Sequence, residues 1–441
     1  MAPLVIILII SYFAVQKTHN VYYEIEMCKY EFNCEPMMQE HKKTSMRYRI
    51  DTERVDLFDV NIVITMRVSL EEAVDFEDAK TAFFKACRLH EVLNSKVVIE
   101  DSGEAFYVDN EDTHNTISKT GLNLDELINE NEKKRFRIEE GEFIRCFMSP
   151  DGIVFMMHHL GGDGKSLVYF IETFMKCLSG RECTFVPFRS LGLSDLPSDS
   201  KLPFYYVLLA SSWNKKWKKE WKLFTFDDMD RSYSEFWADH KTKTELKHYS
   251  KDELNSFVKS AKAAGVSLTA YLITDMIKDS DKPLDVGLAV DGRTDGNRSM
   301  GNQATGISVK CRYDPGKSFD DNARAVFKAM RKKLDDNRTR YLVLQFMGLL
   351  DPTLKDSLNL VRAGCFQCGI SRKVADLLGY GNEVKDISIT NLTRVDIPLG
   401  YGKYSIREIV FVPPVVSYAK NVFGIVTAGD VMTVTRHIYC S

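Results

Sequence analysis

The sequence predicts a mixed α/β protein built as two lobes. Three observations carry this. Segments of helical periodicity alternate with short apolar, strand-like runs along most of the chain. At 441 residues the chain is long for one compact domain. A stretch rich in Ser, Pro and Gly, residues 181–201, separates an N-terminal α/β portion from a C-terminal one. The expected organisation is an N-terminal extension (1–45), an N-terminal lobe (46–185), a linker or crossover (186–236) and a C-terminal lobe (237–441).

The extension contains one apolar run, residues 4–15. It is too short for a transmembrane helix and lacks the basic n-region and cleavage site of a signal peptide. Its β-branched content suits a buried strand equally well. The run leaves membrane association open, but no later stretch could span a bilayer, so a cytoplasmic location is expected.

Residues 46–66 are strand-like, with Tyr48, Ile50 and the run Val60-Asn61-Ile62-Val63-Ile64. Residues 75–90 place Phe76, Ala79, Phe83, Ala86 and Cys87 on one helical face. Residues 97–108 read as a hairpin about Asp101-Ser102-Gly103. Residues 143–148 and 153–157 are two strands joined by the turn Ser149-Pro150-Asp151-Gly152, and the second ends at His158-His159. Ser166 is expected to cap a helix whose buried stripe is Leu167, Phe170, Ile171, Phe174, Met175 and Leu178, and which Gly180 ends.

Beyond the linker, Trp213, Trp217 and Trp221 fall at i, i+4 and i+8 on a lysine-rich helix. Such a stripe packs on a lobe or, in a sharper reading, forms a substrate lid or touches a membrane surface. The second lobe begins near Trp237. Helices are expected at 253–264, 267–277 and 318–334, and strands at 286–290, 307–311, 387–390, 406–412, 422–427 and 431–437.

Composition narrows the function. A net charge of -3 argues against a nucleic-acid binder. Ten cysteines scattered over this length fit reduced, mostly buried thiols. Cys365 and Cys368 have C-x-x-C spacing, but no second pair or nearby histidine completes a metal site, so no metal is expected. G-x-G-x-x-G, the P-loop and Gly-x-Ser-x-Gly are absent from the chain.

The chemical signal is His158-His159-Leu160-Gly161-Gly162-Asp163-Gly164. Consecutive strand residues point to opposite faces, so one histidine faces a cleft and the other the interior. The glycines let the backbone turn and leave room beside an imidazole. Asp163 can hold the local fold or a partner cation. A neutral imidazole is suited to taking a proton from an attacking hydroxyl or amine at neutral pH, and needs no metal or acyl-enzyme nucleophile. Adjacent strand histidines do not converge on one ion. The bland alternative is that both are ordinary turn residues.

The same run resembles the H-H-x-x-x-D-G motif of the chloramphenicol-acetyltransferase-like superfamily, which includes peptide-synthetase condensation domains, plant BAHD acyltransferases and alcohol acetyltransferases. Other segments follow in order. Arg88-Leu89-His90-Glu91-Val92-Leu93 resembles R-H-E-x-L-R, with Asn94 standing where condensation domains have the last arginine. Val290-Asp291-Gly292-Arg293 and Gly301-Asn302 resemble V-x-G-R and G-N elements. Thr390-Asn391-Leu392 and Phe411-Val412-Pro413-Pro414 resemble the family's C-terminal part. The D-F-G-W-G box of plant enzymes is absent. The resemblance spans residues 46–439.

The resemblance implies two similar lobes, each a mixed sheet with flanking helices, arranged as a V with His159 at a central tunnel. It implies that His159 is the general base within a catalytic motif that also holds His158, Asp163 and Gly164. Asp163 is implied to be a structural anchor paired with Arg293, and Gly162, Gly301, Asn302 and Asn391 are candidate tunnel residues. The implied reaction is acyl transfer from a thioester to an alcohol or amine. Acyl-CoA or acyl-carrier phosphopantetheine would be a co-substrate rather than a bound cofactor, any carrier protein would act in trans, and the chain would work as a monomer. Two alternatives are a non-catalytic scaffold of the same fold and a lipid-modifying transferase docked by the tryptophan helix.

Overall fold

A computed structural model describes residues 46–293, 296–378, 384–415 and 419–440. The apolar run at 4–15 lies outside the described residues. In chain order the strands are β1 (Arg47–Arg49), β2 (Val63–Leu70), β3 (Ser95–Ile99), β4 (Ala105–Asp109), β5 (Thr116–Lys119), β6 (Ile144–Ser149), β7 (Gly152–His158), β8 (Lys241–Tyr249), β9 (Leu284–Asp291), β10 (Ala304–Cys311), β11 (Ile387–Arg394), β12 (Gly400–Tyr401), β13 (Tyr404–Val412), β14 (Val422–Ala428) and β15 (Val431–Cys440). They form one three-stranded sheet, β1-β4-β3, and two six-stranded sheets.

The first six-stranded sheet has the order β12-β13-β2-β7-β6-β5 and the second β10-β9-β11-β14-β15-β8. Both are mixed: β5 runs parallel to β6 in the first, and β11 parallel to β9 and β14 in the second. The central strand β7 is apolar without alternation, because helices cover it and neighbouring strands flank it. Helices Phe76–Leu89 and Gly164–Leu178 close over it, with Phe170 set edge-on to both Phe83 and Phe155. In the second sheet, helices Lys251–Ala263, Leu268–Ile277 and Phe319–Leu334 bury Leu254, Ile273 and Val326 in a core with Val286 and Ile389. The expected mixed α/β class with two helix-flanked sheets is therefore what the chain forms.

The lobes are not split at residue 237. β12 and β13, from the expected C-terminal lobe, join the first sheet, where Val412 pairs with Thr65 and Ile409 with Val68. A strand pattern shows that a segment will pair but not with what, and the free edge of β2 accepts it. Helix Pro352–Arg362 also returns to the first part of the chain: Asp356 forms a buried ion pair with Arg54 at 2.6 Å.

The segment 186–236 is not only a linker. It contains helix Phe204–Glu220 and most of helix Phe226–Asp239. Trp213 and Trp217 are buried, Trp213 edge-on to Phe346 and Trp217 donating its Nε1–H to Thr353 Oγ1 at 2.8 Å. Trp221 is exposed just past the helix end, so the tryptophans make no outward stripe. No helix among the described residues is long and apolar enough to cross a membrane.

Candidate active site

β7 delivers the histidine motif to the junction of the two sheets. His158 is its last residue, and His159 opens a single 3-10 turn, His159–Gly161. Gly162 then turns the chain at φ +147°, where a Cβ would lie 2.5 Å from Ser166 Cβ, so only glycine fits. Asp163, not Ser166, caps the next helix: its carboxylate accepts the Ser166 N–H at 2.9 Å. The helix starts earlier than expected because the glycine after Asp163 already has helical geometry.

Strand alternation separates the two histidines. His158 is fully buried, edge-on to Phe136, and its Nδ1 accepts the Leu160 N–H at 3.2 Å. Burial, reinforced by the charges of His159, Arg135 and Arg145, pushes this imidazole down to about 3, so it stays neutral. It does not line the cavity and serves to hold the turn.

His159 does line a cavity. The cavity has a volume of about 90 Å³ and lies between the sheets, with walls including Ile64, Gly164, Ala289, Ala304, Asn391 and Phe411. The Nδ1 of His159 is buried without a hydrogen-bond partner, leaving Nε2 as the ring nitrogen available to the cavity. Behind the ring, Asp56 Oδ2 lies 3.7 Å from Nδ1. Asn302 Nδ2 donates to that same oxygen at 3.0 Å. Burial pushes the Asp56 carboxyl up, against the pull of His159 and the Asn302 bond.

Asp163, on the wall of the same cavity, is held in a clamp. Arg293 donates to both of its oxygens at 2.8 Å, and the Gln303 N–H donates at 2.9 Å. Burial alone would raise this carboxyl, but Arg293 and the backbone N–H groups hold it below the usual aspartate range. Arg293 also donates to Ser166 Oγ at 2.9 Å, and that hydroxyl lies 3.0 Å from the Gly301 carbonyl. One carboxylate thus ties the histidine turn to the loop after β9 and the segment before β10.

The four expected tunnel residues divide. Asn391 lines the cavity, with its amide donated to Thr269 Oγ1 at 2.9 Å. Gly162 and Gly301 lie outside the cavity lining and serve close backbone approach; a Cβ on Gly301, at φ +137°, would sit 2.4 Å from the Arg189 carbonyl oxygen. Asn302 turns to Asp56 instead. The Arg88–Leu93 run is a packing element: buried His90 donates from Nε2 to Thr173 Oγ1 at 3.0 Å and is pushed down to about 4 by burial. Asn94 donates its amide to the His90 carbonyl at 2.9 Å.

Sequence reasoning missed Asp56, Lys165 and Asp291. Lys165 Nζ meets Asp291 Oδ2 at 3.0 Å on the cavity wall. No periodicity or motif marks Asp56, which sits on a short 3-10 turn, Arg54–Asp56, far from the histidines in sequence. Cys365 and Cys368 are free, partly buried thiols, and no group of three or more His, Cys, Asp or Glu side chains among the described residues could hold a metal.

No protein-family model and no curated protein matches the chain. Solved structures do. The condensation domain of the monacolin K polyketide synthase MokA is similar with a TM-score of 0.56 at 12% identity, over 89% of this chain and 92% of that one. Polyketide synthase associated protein 5 from Mycobacterium tuberculosis is similar at 0.56 and 13% identity, over 90% and 94%. A mutant starter condensation domain of rhizomide synthetase RzmA, solved with C8-CoA and Leu-SNAC, is similar at 0.55 and 12% identity, over 89% of both chains. The fold is thus that of condensation domains, the chloramphenicol-acetyltransferase-like fold.

Proposed function

We propose that this chain is an acyltransferase that moves an acyl group from a thioester to an alcohol or amine, with His159 as general base. The observation that carries the reading is the presentation of His159: one ring nitrogen faces a largely apolar cavity at the sheet junction, on a turn held by the Asp163–Arg293 clamp. The acceptor's O–H or N–H gives its proton to Nε2 as its heavy atom bonds to the thioester carbonyl carbon. The tetrahedral oxyanion collapses, the C–S bond breaks, and the leaving thiolate takes the proton back from the imidazolium. The donor is acyl-CoA or an acyl group on a carrier phosphopantetheine supplied in trans. The RzmA domain was solved with an acyl-CoA, which supports a thioester donor here.

The test is thiol release from acyl-CoA esters in the presence of simple alcohols and amines. His159→Ala should lower turnover by about 10²–10⁴-fold with an unchanged melting curve. Wild-type turnover in that variant would overturn the assignment. No acceptor-dependent thiol release by the unaltered chain with either free or carrier-bound thioester would favour the scaffold reading.

A second reading has its own observation. On helix Phe204–Glu220, Phe204 and Leu208 are 75% and 62% exposed, Tyr205 and Val207 are also exposed, and Lys215, Lys216, Lys218 and Lys219 continue the outward face. Apolar side chains followed by lysines suit an anionic lipid surface. We propose peripheral contact through this face rather than through the tryptophans. Sedimentation with phosphatidylserine-containing vesicles, but not with phosphatidylcholine alone, is expected, and Phe204→Glu with Leu208→Glu should abolish it. Binding that ignores lipid charge, or concentration-dependent dimerisation through the same face without vesicle binding, would sink the idea.

A further inference from the structure

We infer that Asp56 is a positioning residue for His159: it turns Nδ1 of the ring inward, leaves Nε2 to the cavity, and balances the positive charge that the ring acquires on taking a proton. The inference rests on the general-base reading above.

The pairing is built rather than incidental. The two side chains are 19% and 12% exposed, with Asp56 Oδ2 3.7 Å from Nδ1. Nδ1 is buried and has no other partner. That distance is longer than a hydrogen bond, so a direct bond requires the ring or the carboxylate to shift. Such contacts are commonly loose before substrate binds.

Asp56 is held from two directions. Its turn is fixed from below by helix Pro352–Arg362, through the Arg54–Asp356 pair and the bond from Asn359 Nδ2 to the Val55 carbonyl. Its carboxylate is fixed from the second sheet by Asn302. Asn302 lies between Gly301, whose carbonyl meets Ser166 Oγ, and Gln303, whose N–H meets Asp163. The asparagine that aims Asp56 and the clamp that fixes the histidine turn are therefore consecutive in one segment. A supporting shell of this kind is what keeps a catalytic imidazole in one orientation.

The role also accounts for an acid in this place. One amide contact is weak compensation for burying a carboxylate, and the ionisable ring facing Asp56 is His159, its Nδ1 3.7 Å away. Glu53, buried nearby, is pushed up to about 7 by burial and by its acidic neighbours. The back of the imidazole thus faces the Asp56 carboxylate, and opposite charges attract more strongly where water is scarce.

The chemistry balances without a proton reaching Asp56. Before reaction the facing carboxylate favours the tautomer with hydrogen on Nδ1, so Nε2 carries the lone pair. Proton transfer from the acceptor creates an imidazolium–carboxylate pair. When the C–S bond breaks, Nε2 returns its proton to the thiolate, and the pair reverts.

The test is a double-mutant cycle with acetyl-, butyryl- and octanoyl-CoA as donors, read as kcat and KM separately beside thermal melts. Asp56→Asn, close in shape, should lower kcat by about 10²–10⁴-fold with KM unchanged, and Asp56→Glu should recover part of that loss. In a His159→Ala background, Asp56→Asn should cost nothing further. If Asp56→Asn fails to fold, Asn302→Ala carries the test, with kcat reduced and KM unchanged. Loss of kcat in His159→Ala but not in Asp56→Asn or Asn302→Ala would overturn this inference alone. An equal Asp56→Asn loss in both backgrounds would also overturn it. Undiminished turnover in His159→Ala would overturn the general-base reading and this inference with it.

Discussion

Arg293 binds Asp163 in two-pronged fashion, Nη1 to Oδ2 and Nη2 to Oδ1, each at 2.8 Å, with both side chains almost wholly buried. Asp163 caps the helix that follows the histidine turn, and Arg293 follows the last residues of β9. The bond therefore joins the two halves of the site. Asp163→Ala removes the two-pronged partner of a buried guanidinium, leaving it the Asp291 carboxylate at 3.2 Å, and should cost up to roughly 3–5 kcal/mol in denaturant unfolding, with activity lost as well. Full stability in that variant would contradict the clamp.

The same carboxylate gives an acid-stability signature. Its folded-state pKa is depressed because Arg293 and backbone N–H groups outweigh burial. Stabilisation from it is fully present above the unfolded aspartate value and is lost as pH falls through the lower folded value. Unfolding free energy measured from pH 5 downward should fall less steeply in Asp163→Asn than in the unaltered chain.

His437 behaves in the opposite sense. Burial pushes it down, but Glu132 at 3.3 Å and the Pro413 carbonyl at 2.9 Å outweigh that, and its pKa is raised. The stabilisation is fully present below the ordinary histidine value of about 6.5 and disappears as pH rises through the raised value. It ties β15 to helix Leu124–Glu132, which β8 also meets through Thr242 Oγ1 on Glu132. Denaturation midpoints should decline as pH rises above the ordinary histidine value, and His437→Gln should flatten that decline.

Asp356→Ala isolates Arg54, whose Nη1 already lacks a hydrogen-bond partner. A loss of roughly 3–5 kcal/mol is expected in chemical unfolding. Because Asp56 shares the Arg54 turn, activity should fall before the global transition when denaturant is raised. Coincident loss of activity and structure would argue that this turn is no weaker than the rest.

Gly162 and Gly180 offer a matched comparison. Both have positive φ, but an alanine Cβ at 162 meets Ser166 and at 180 meets open space. Gly180→Ala should cost only about 1–2 kcal/mol of backbone strain and leave turnover intact. Gly162→Ala adds about 1–3 kcal/mol of overpacking and should displace His159, lowering turnover in a protein that still melts cooperatively.

The sequence by itself determined the local parts. Apolar runs marked β6 and β7, apolar periodicity marked the helix Gly164–Leu178, and the residue order His158 to Gly164 marked where chemistry would sit. These are short-range properties: strand alternation sends adjacent histidines apart, and glycine alone tolerates the turn at 162. Helix Leu124–Glu132 escaped notice because its few apolar residues are set in an acidic stretch, although Asn123 and Glu126 form a capping box. Tertiary structure decided the rest. Pairing β13 with β2, turning Trp213 and Trp217 inward, and bringing Asp56 behind His159 all depend on contacts between segments far apart in the chain. No local propensity encodes such contacts, since an isolated strand edge, an amphipathic helix face and a lone acid are each compatible with several partners until the core selects one.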